Sequence, residues 1–116
     1  SHWRVGACLL TKEGKLYRGC NIESSTYTPT NCAERTAIFK AVSEGDTNFV
    51  AIAIVGNDEN TPIGKGDFCP PCGVCRQVMA EFCAPDFKVI LARGYDDYKV
   101  FTLADLLPEP SLPLKA

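Results

Sequence analysis

No stretch of this chain reaches the ~18 consecutive apolar residues of a membrane-spanning helix, and no secretory signal is visible, so a membrane is not expected as a partner. An excess of charge of one sign is missing too. Twelve Lys and Arg stand against 14 Asp and Glu, a net charge of -2, and the cations are scattered. Binding a phosphate backbone needs a basic stripe, so nucleic acid is excluded and free small molecules fit better. There is no internal repeat and no low-complexity linker. A chain of 116 residues, 46% hydrophobic, makes one domain over residues 1–116 with one core. An initiator Met is also absent: the chain opens at Ser1 and reads as strand from Arg4, so an upstream segment is expected.

Cysteine is what the chain has in quantity. Seven is an odd number, and the spacing looks like metal ligation more than a disulfide framework, which points to a reducing cytoplasm. Cys8 and Cys20 lie in strand-like runs and Cys83 at a helix end; these three read as small buried hydrophobes.

Residues 5–11 and 15–21 flank Lys12-Glu13-Gly14 and read as an antiparallel hairpin. A polar, proline-containing loop follows over 24–30. Across 31–42 (NCAERTAIFKAV), Ala33, Ala37, Ile38, Ala41 and Val42 keep helical spacing, and Gly45 ends the run. Residues 49–56 form a nearly unbroken apolar, β-branched run, expected as a central strand covered on both faces. After a loop over 57–71, Cys72, Cys75, Val78, Met79 and Phe82 fall on the inward face of a second helix. Residues 88–92 read as a buried strand, 99–102 as a short one and 103–107 as a brief helix before Pro108. The order ββαβαββ implies an α/β layered domain with a central mixed sheet.

The chemistry lies in 31–42 and 71–79 (PCGVCRQVM). Cys32 and Glu34 open the first helix; Cys72 and Cys75 open the second. Unpaired N–H groups and the positive dipole end of a helix start favour thiolate, the metal-binding form. Three thiolates and one acid are the parts of a catalytic zinc site whose fourth position is open. Their excess negative charge weakens the metal as a Lewis acid unless it is offset, and Arg35 and the two helix N-termini are the available offsets, with Arg76 a lesser one. Two blander readings compete. Cys69 makes an overlapping CxxC with Cys72 and would close a four-cysteine structural site, but it precedes Pro70-Pro71 in a loop and leaves Glu34 without a task. Glu34 three residues after Asn31 also makes a capping-box-like pair. With Cys32 two residues away and a second thiol pair present, a carboxylate that takes a proton from the attacking water and delivers it to the substrate is the better reading. Asn21 and Glu23, taken alone, read as a turn and a solvated charge.

CAERTAIFKAVSEG and PCGVCRQVMAEF resemble the two zinc motifs of the cytidine deaminase family, in its three-Cys, homotetrameric class. The similarity runs from WRVGACLL through GCNIE to DLLP. It implies a three-layer α/β/α cytidine-deaminase-like domain with a central five-stranded mixed sheet. The implied activity is hydrolytic, zinc-dependent deamination of free cytidine and 2'-deoxycytidine to uridine and 2'-deoxyuridine with release of ammonia, in pyrimidine salvage. Cys32, Cys72 and Cys75 would hold Zn2+, and Glu34 would move protons between the water, ring nitrogen N3 and the departing amino group. Asn21 and Glu23 match the family's NxE on the ribose 3'-hydroxyl. The backbone of Ala33 would meet the base edge, and the Pro70 carbonyl would accept from the amino group.

Trp3 stands where the family usually has Phe beside the base, which keeps a stacking face and narrows the pocket. The tail EPSLPLKA lacks the Phe that often follows Leu-Leu-Pro and reaches a neighbouring active site, while the class itself implies a homotetramer with shared sites. The expected upstream segment would match the family's first helix, whose loss would expose a sheet face or an interface. Relatives with a His first ligand act on deoxycytidylate, RNA or DNA, and Cys32 argues against them. Deaminases of aminonucleoside antibiotics share both zinc motifs; NIE at 21–23 and WRVGA at 3–7 favour the nucleoside enzyme. A non-catalytic zinc-stabilised interaction domain, with Glu34 a mere cap, is the alternative of another class.

Overall fold

In the structure, a computed structural model that describes residues 3–23, 25–26, 30–58, 67–94 and 96–108, β1 (Trp3–Thr11) and β2 (Leu16–Cys20) form the expected hairpin. The turn closes through Gly14 N–H to the Thr11 carbonyl at 3.0 Å, and Thr11 N–H to the Lys15 carbonyl at 2.9 Å. There follow α1 (Ala33–Ser43), β3 (Phe49–Asp58), α2 (Gly73–Phe82), β4 (Lys88–Ala92), β5 (Tyr98–Thr102) and α3 (Leu103–Leu106). The tail 109–116 and residues 59–66 of the expected loop lie outside the described residues.

One five-stranded sheet runs in the order β2-β1-β3-β4-β5. Only β3 and β4 are parallel, and α2 supplies the crossover that a parallel pair requires. The expected α/β class and mixed five-stranded sheet are both observed. β3 extends two residues beyond its expected end because Asn57 and Asp58 pair with Arg4 and Trp3 at the start of β1.

Register explains where the core sits. Ala7 pairs with Ile54 and Leu9 with Ile52, which pair in turn with Leu91 and Val89. All six are buried, together with Ala37, Ile38 and Ala41 of α1, Cys75 and Met79 of α2, and Leu103 of α3. The three helices therefore form one layer on this face. The α1 stripe agrees with its helical spacing except that Val42 is only half-buried, and Gly45 ends the helix with a φ of 90°. Gly19 lets α1 lie low on β2: a Cβ there would come within 2.6 Å of the Ala37 nitrogen, an approach only glycine permits.

The opposite face carries the rows Cys8-Ala53-Ile90-Val100 and Gly6-Val55-Ala92-Tyr98. No helix among the described residues covers it, and Val55 and Val100 are 43% and 53% exposed. β3 is thus central, as expected, but buried on one face instead of two: an apolar run cannot by itself tell whether a second layer is present. Of the three expected layers, the described residues supply the sheet and one helical layer. Cys20 is exposed, contrary to expectation, because β2 is an edge strand, whereas Cys8 and Cys83 are half-buried.

Candidate metal centre

Two helix starts deliver three thiols to one point. Cys32 is the N-cap of α1 and Cys72 the N-cap of α2, both with extended backbone, so each side chain lies at a helix mouth. Cys75 follows within the first turn of α2 and is buried. The Cys32 and Cys72 sulfurs are 3.8 Å apart, those of Cys72 and Cys75 3.3 Å apart, and all three lie within 4.8 Å of one another. A tetrahedral zinc with Zn–S bonds of about 2.3 Å sets its sulfurs about 3.8 Å apart, so the trio fits that ion with little movement.

The electrostatics point the same way. Burial, followed by the Glu34 carboxylate, pushes the Cys75 thiol well up. At Cys72 burial also acts upward, but the backbone N–H of Cys75 and the neighbouring thiols outweigh it and the net shift is down. A buried thiol pushed up by a nearby carboxylate, beside one drawn down by its neighbours, makes a donor set short of positive charge, which a bound dication would supply.

Cys69 is not part of the trio, so the closed four-cysteine site expected as an alternative is not assembled. The capping reading of Glu34 also fails. Cys32, not Asn31, is the N-cap, which places Glu34 second in the helix instead of third, and no side-chain cap bond forms. Asn31 is diverted because its N–H and carbonyl pair with Ile22 at 2.7 and 2.8 Å, while its amide donates to Thr36 Oγ1 at 3.1 Å. Glu34 itself is 4% exposed. Arg35 Nη2 lies 3.4 Å from the Cys32 sulfur, and that contact, ahead of burial, holds its guanidinium pKa above the ordinary value. Arg76 is directed elsewhere: Nε donates to the Pro71 carbonyl at 2.9 Å and Nη1 to that of Leu106 at 2.8 Å.

A cleft of about 260 Å³ opens over the trio. Trp3, Asn21, Glu23, Ala33 and Pro70 all line it, together with Cys32, Glu34 and Cys72. Cys72 is exposed, not turned into the core as its helical spacing suggested, because an N-cap residue is not yet on the helix. Val5, Thr30, Asn31 and Cys69 complete the wall; nothing in their residue types or spacing announces this. The Asn21 amide has a second task. Oδ1 accepts from Val5 N–H and Nδ2 donates to the Trp3 carbonyl, each at 3.0 Å, so the side chain prolongs the β1–β2 ladder and retains one N–H and one lone pair. A larger hollow of about 340 Å³ on the open sheet face, around Cys8, Arg18, Ala53 and Val55, has no carboxylate or thiol cluster in its wall. No helix among the described residues is long and apolar enough to cross a membrane.

Comparison with known proteins gives a match of residues 1–91 to the family model for the cytidine and deoxycytidylate deaminase zinc-binding region. A cytidine deaminase of Halalkalibacterium halodurans is 52% identical over 108 residues, 93% of this chain and 76% of that protein. One from Sporosarcina psychrophila is 50% identical over 108 residues, 93% of this chain and 74% of that protein. Among solved structures, a cytidine deaminase from Burkholderia pseudomallei superposes with a TM-score of 0.80 at 42% identity, covering 94% of this chain and 82% of that one.

Proposed function

The chain belongs to the cytidine and deoxycytidylate deaminase zinc-binding family, and on that premise we propose that it hydrolyses cytidine and 2'-deoxycytidine to uridine and 2'-deoxyuridine with release of ammonia, as a pyrimidine-salvage enzyme. The observation that carries the reading is Glu34, a carboxylate 4% exposed, in the wall of one cleft with Cys32 and Cys72.

Cys32, Cys72 and Cys75 are the ligands for zinc, which when bound supplies a Lewis acid and makes water a nucleophile near neutral pH. Glu34 takes a proton from the water as its oxygen attacks C4, and delivers that proton to N3. The C4 carbon becomes tetrahedral. Glu34 then carries the remaining hydroxyl proton to the amino group, the C–N bond breaks, ammonia leaves and the C4 carbonyl forms, so cytidine and water balance uridine and ammonia. Burial of Glu34 keeps these transfers from leaking to solvent. Arg35, at the Cys32 sulfur, offsets part of the thiolate charge.

The cleft takes a free nucleoside. Trp3 flanks the base, the Ala33 backbone meets its edge and the Pro70 carbonyl receives the amino group. The spare N–H and lone pair of Asn21, with the Glu23 carboxylate, pair with the 3'-hydroxyl, a contact that does not read the 2' position. Seven free thiols suit a reducing cytoplasm, and the apolar open sheet face suits assembly into a homotetramer with shared sites.

The test is ammonia release from cytidine by Glu34→Gln against the parent at matched zinc content. The amide keeps the shape but can neither accept nor return a proton, so turnover should fall by ~10⁴-fold, the upper end for general acid-base catalysis. Near-normal turnover would reduce the domain to a zinc-stabilised scaffold.

A further inference from the structure

The cleft contains a thiol for which the proposed reaction has no use. Cys69 lines it beside Trp3 and Pro70 but stands outside the metal trio. It is seated on Gly56 of β3. A Cβ built on Gly56 would meet the Cys69 sulfur at 2.8 Å, its Cβ at 2.9 Å and Val5 Cγ2 at 3.2 Å, so the space that any other residue would need is already filled. Gly56 pairs with Val5 across the sheet, and Val5 N–H is held by the Asn21 amide that also holds the Trp3 carbonyl. Cys69 shares the cleft wall with Trp3, whose side chain acts on the Cys69 thiol as a hydrogen-bond donor. Burial, the larger effect, raises the Cys69 thiol above its ordinary value, while the contact with Trp3 acts downward.

Two walls of the cleft therefore meet at one sulfur: the first residue of β1 and the loop that leads through Pro70 to Cys72. We propose that Cys69 is a positioning residue, which by docking on Gly56 and holding the Trp3 indole fixes the base-flanking ring relative to the Pro70 rim and so sets how tightly the pyrimidine is gripped. This rests on reading the cleft as the nucleoside site. It assigns Cys69 neither metal ligation nor proton transfer.

Trp3 is the only tryptophan in the chain, so its emission reports the contact directly, without substrate. Cys69→Ala should alter that emission and raise KM for cytidine about three- to tenfold, the effect of losing one ordinary hydrogen bond, with kcat moving less and zinc content unchanged. Cys69→Ser, whose hydroxyl still accepts from the indole, should fall between Cys69→Ala and the parent. Gly56→Ala, which evicts the sulfur, should reproduce Cys69→Ala. Unchanged emission and KM in Cys69→Ala would overturn the proposal. So would loss of zinc, which would make Cys69 a ligand, or a fall in kcat at constant KM, which would place it in the chemistry. If Cys69→Ala does not fold, Cys69→Ser and Gly56→Ala decide by the same readings. If the parent releases no ammonia from cytidine, the proposed function falls, and the emission arm alone decides whether Cys69 orients Trp3.

Discussion

Gly19 lies directly beneath the first turn of α1, where a Cβ would stand 2.4 Å from the carbonyl oxygen of Ala33. The helix start that delivers Cys32 and Glu34 therefore rests on a bare stretch of β2 backbone. Gly19→Ala must lift that turn or bend the strand. Overpacking of this kind costs about 1–3 kcal/mol, and because Cys32 caps the displaced turn, zinc affinity should fall with stability. Urea unfolding together with metal content after dialysis checks this; a variant with parental midpoint and full zinc would show that α1 is not set by Gly19.

Arg76 ties the approach to α2 to the end of α3 through the Pro71 and Leu106 carbonyls. Hydrogen bonds from a charged donor contribute roughly 1.5–3 kcal/mol each, so Arg76→Ala should lower unfolding free energy by about 2–4 kcal/mol after partial relaxation. Arg76→Lys should recover little, since a single ammonium cannot span two carbonyls that a guanidinium fork reaches together. Full recovery by Lys in chemical denaturation would mean that charge, not geometry, is what matters.

How far the molecule was legible in its sequence follows from which contacts are local. The strand at 88–92 and the buried stripe Ala33, Ala37, Ile38 and Ala41 are written in short-range spacing, and both stand where that spacing puts them. The convergence of three cysteines was legible too, because two helix starts over one sheet bring the N-caps Cys32 and Cys72 and the first-turn Cys75 together, although Cys72, as a cap, is exposed where its spacing put it inward. The competing reading of Asn31 as a cap could not be dismissed from residue type alone, because what rules it out is the engagement of its backbone by Ile22, a partner nine residues away. Gly19, Gly56 and Arg76 were illegible for the same reason. A glycine under a helix or a thiol, and a guanidinium that spans Pro71 and Leu106, acquire meaning only when distant elements pack.

Cys83 gives a pH prediction. Burial pushes its thiol up to about 12 from the usual value of 9.0. A folded-state pKa raised above the unfolded one contributes stability that is whole below pH ~9 and is lost as pH climbs toward 12, with a slope of up to about 1.4 kcal/mol per unit. Removing the titrating group by Cys83→Ala should therefore flatten the alkaline limb of stability. Other alkaline groups act in both proteins and cancel in the difference. Urea midpoints at pH 8 and pH 10.5 provide the comparison, and parallel losses in the two proteins would refute the assignment.

Asn21 and Glu23 separate binding from scaffold in opposite proportions. Both line the cleft, and in the proposed site both pair with the sugar hydroxyl, so truncation of either to Ala should lower nucleoside turnover at low substrate. Asn21 also carries two hydrogen bonds of 3.0 Å to the backbone of Val5 and Trp3. Asn21→Ala should thus lose about 1–3 kcal/mol of stability as well, and by loosening Trp3 it should raise KM more than Glu23→Ala does. The metal-ligating cluster consists of Cys32, Cys72 and Cys75, so zinc content should stay at the parental level in both. The measurements are KM for cytidine, urea midpoint and metal content on the same preparations. Zinc loss in either variant, or a Glu23→Ala protein that is destabilised yet binds cytidine normally, would remove that residue from the sugar site.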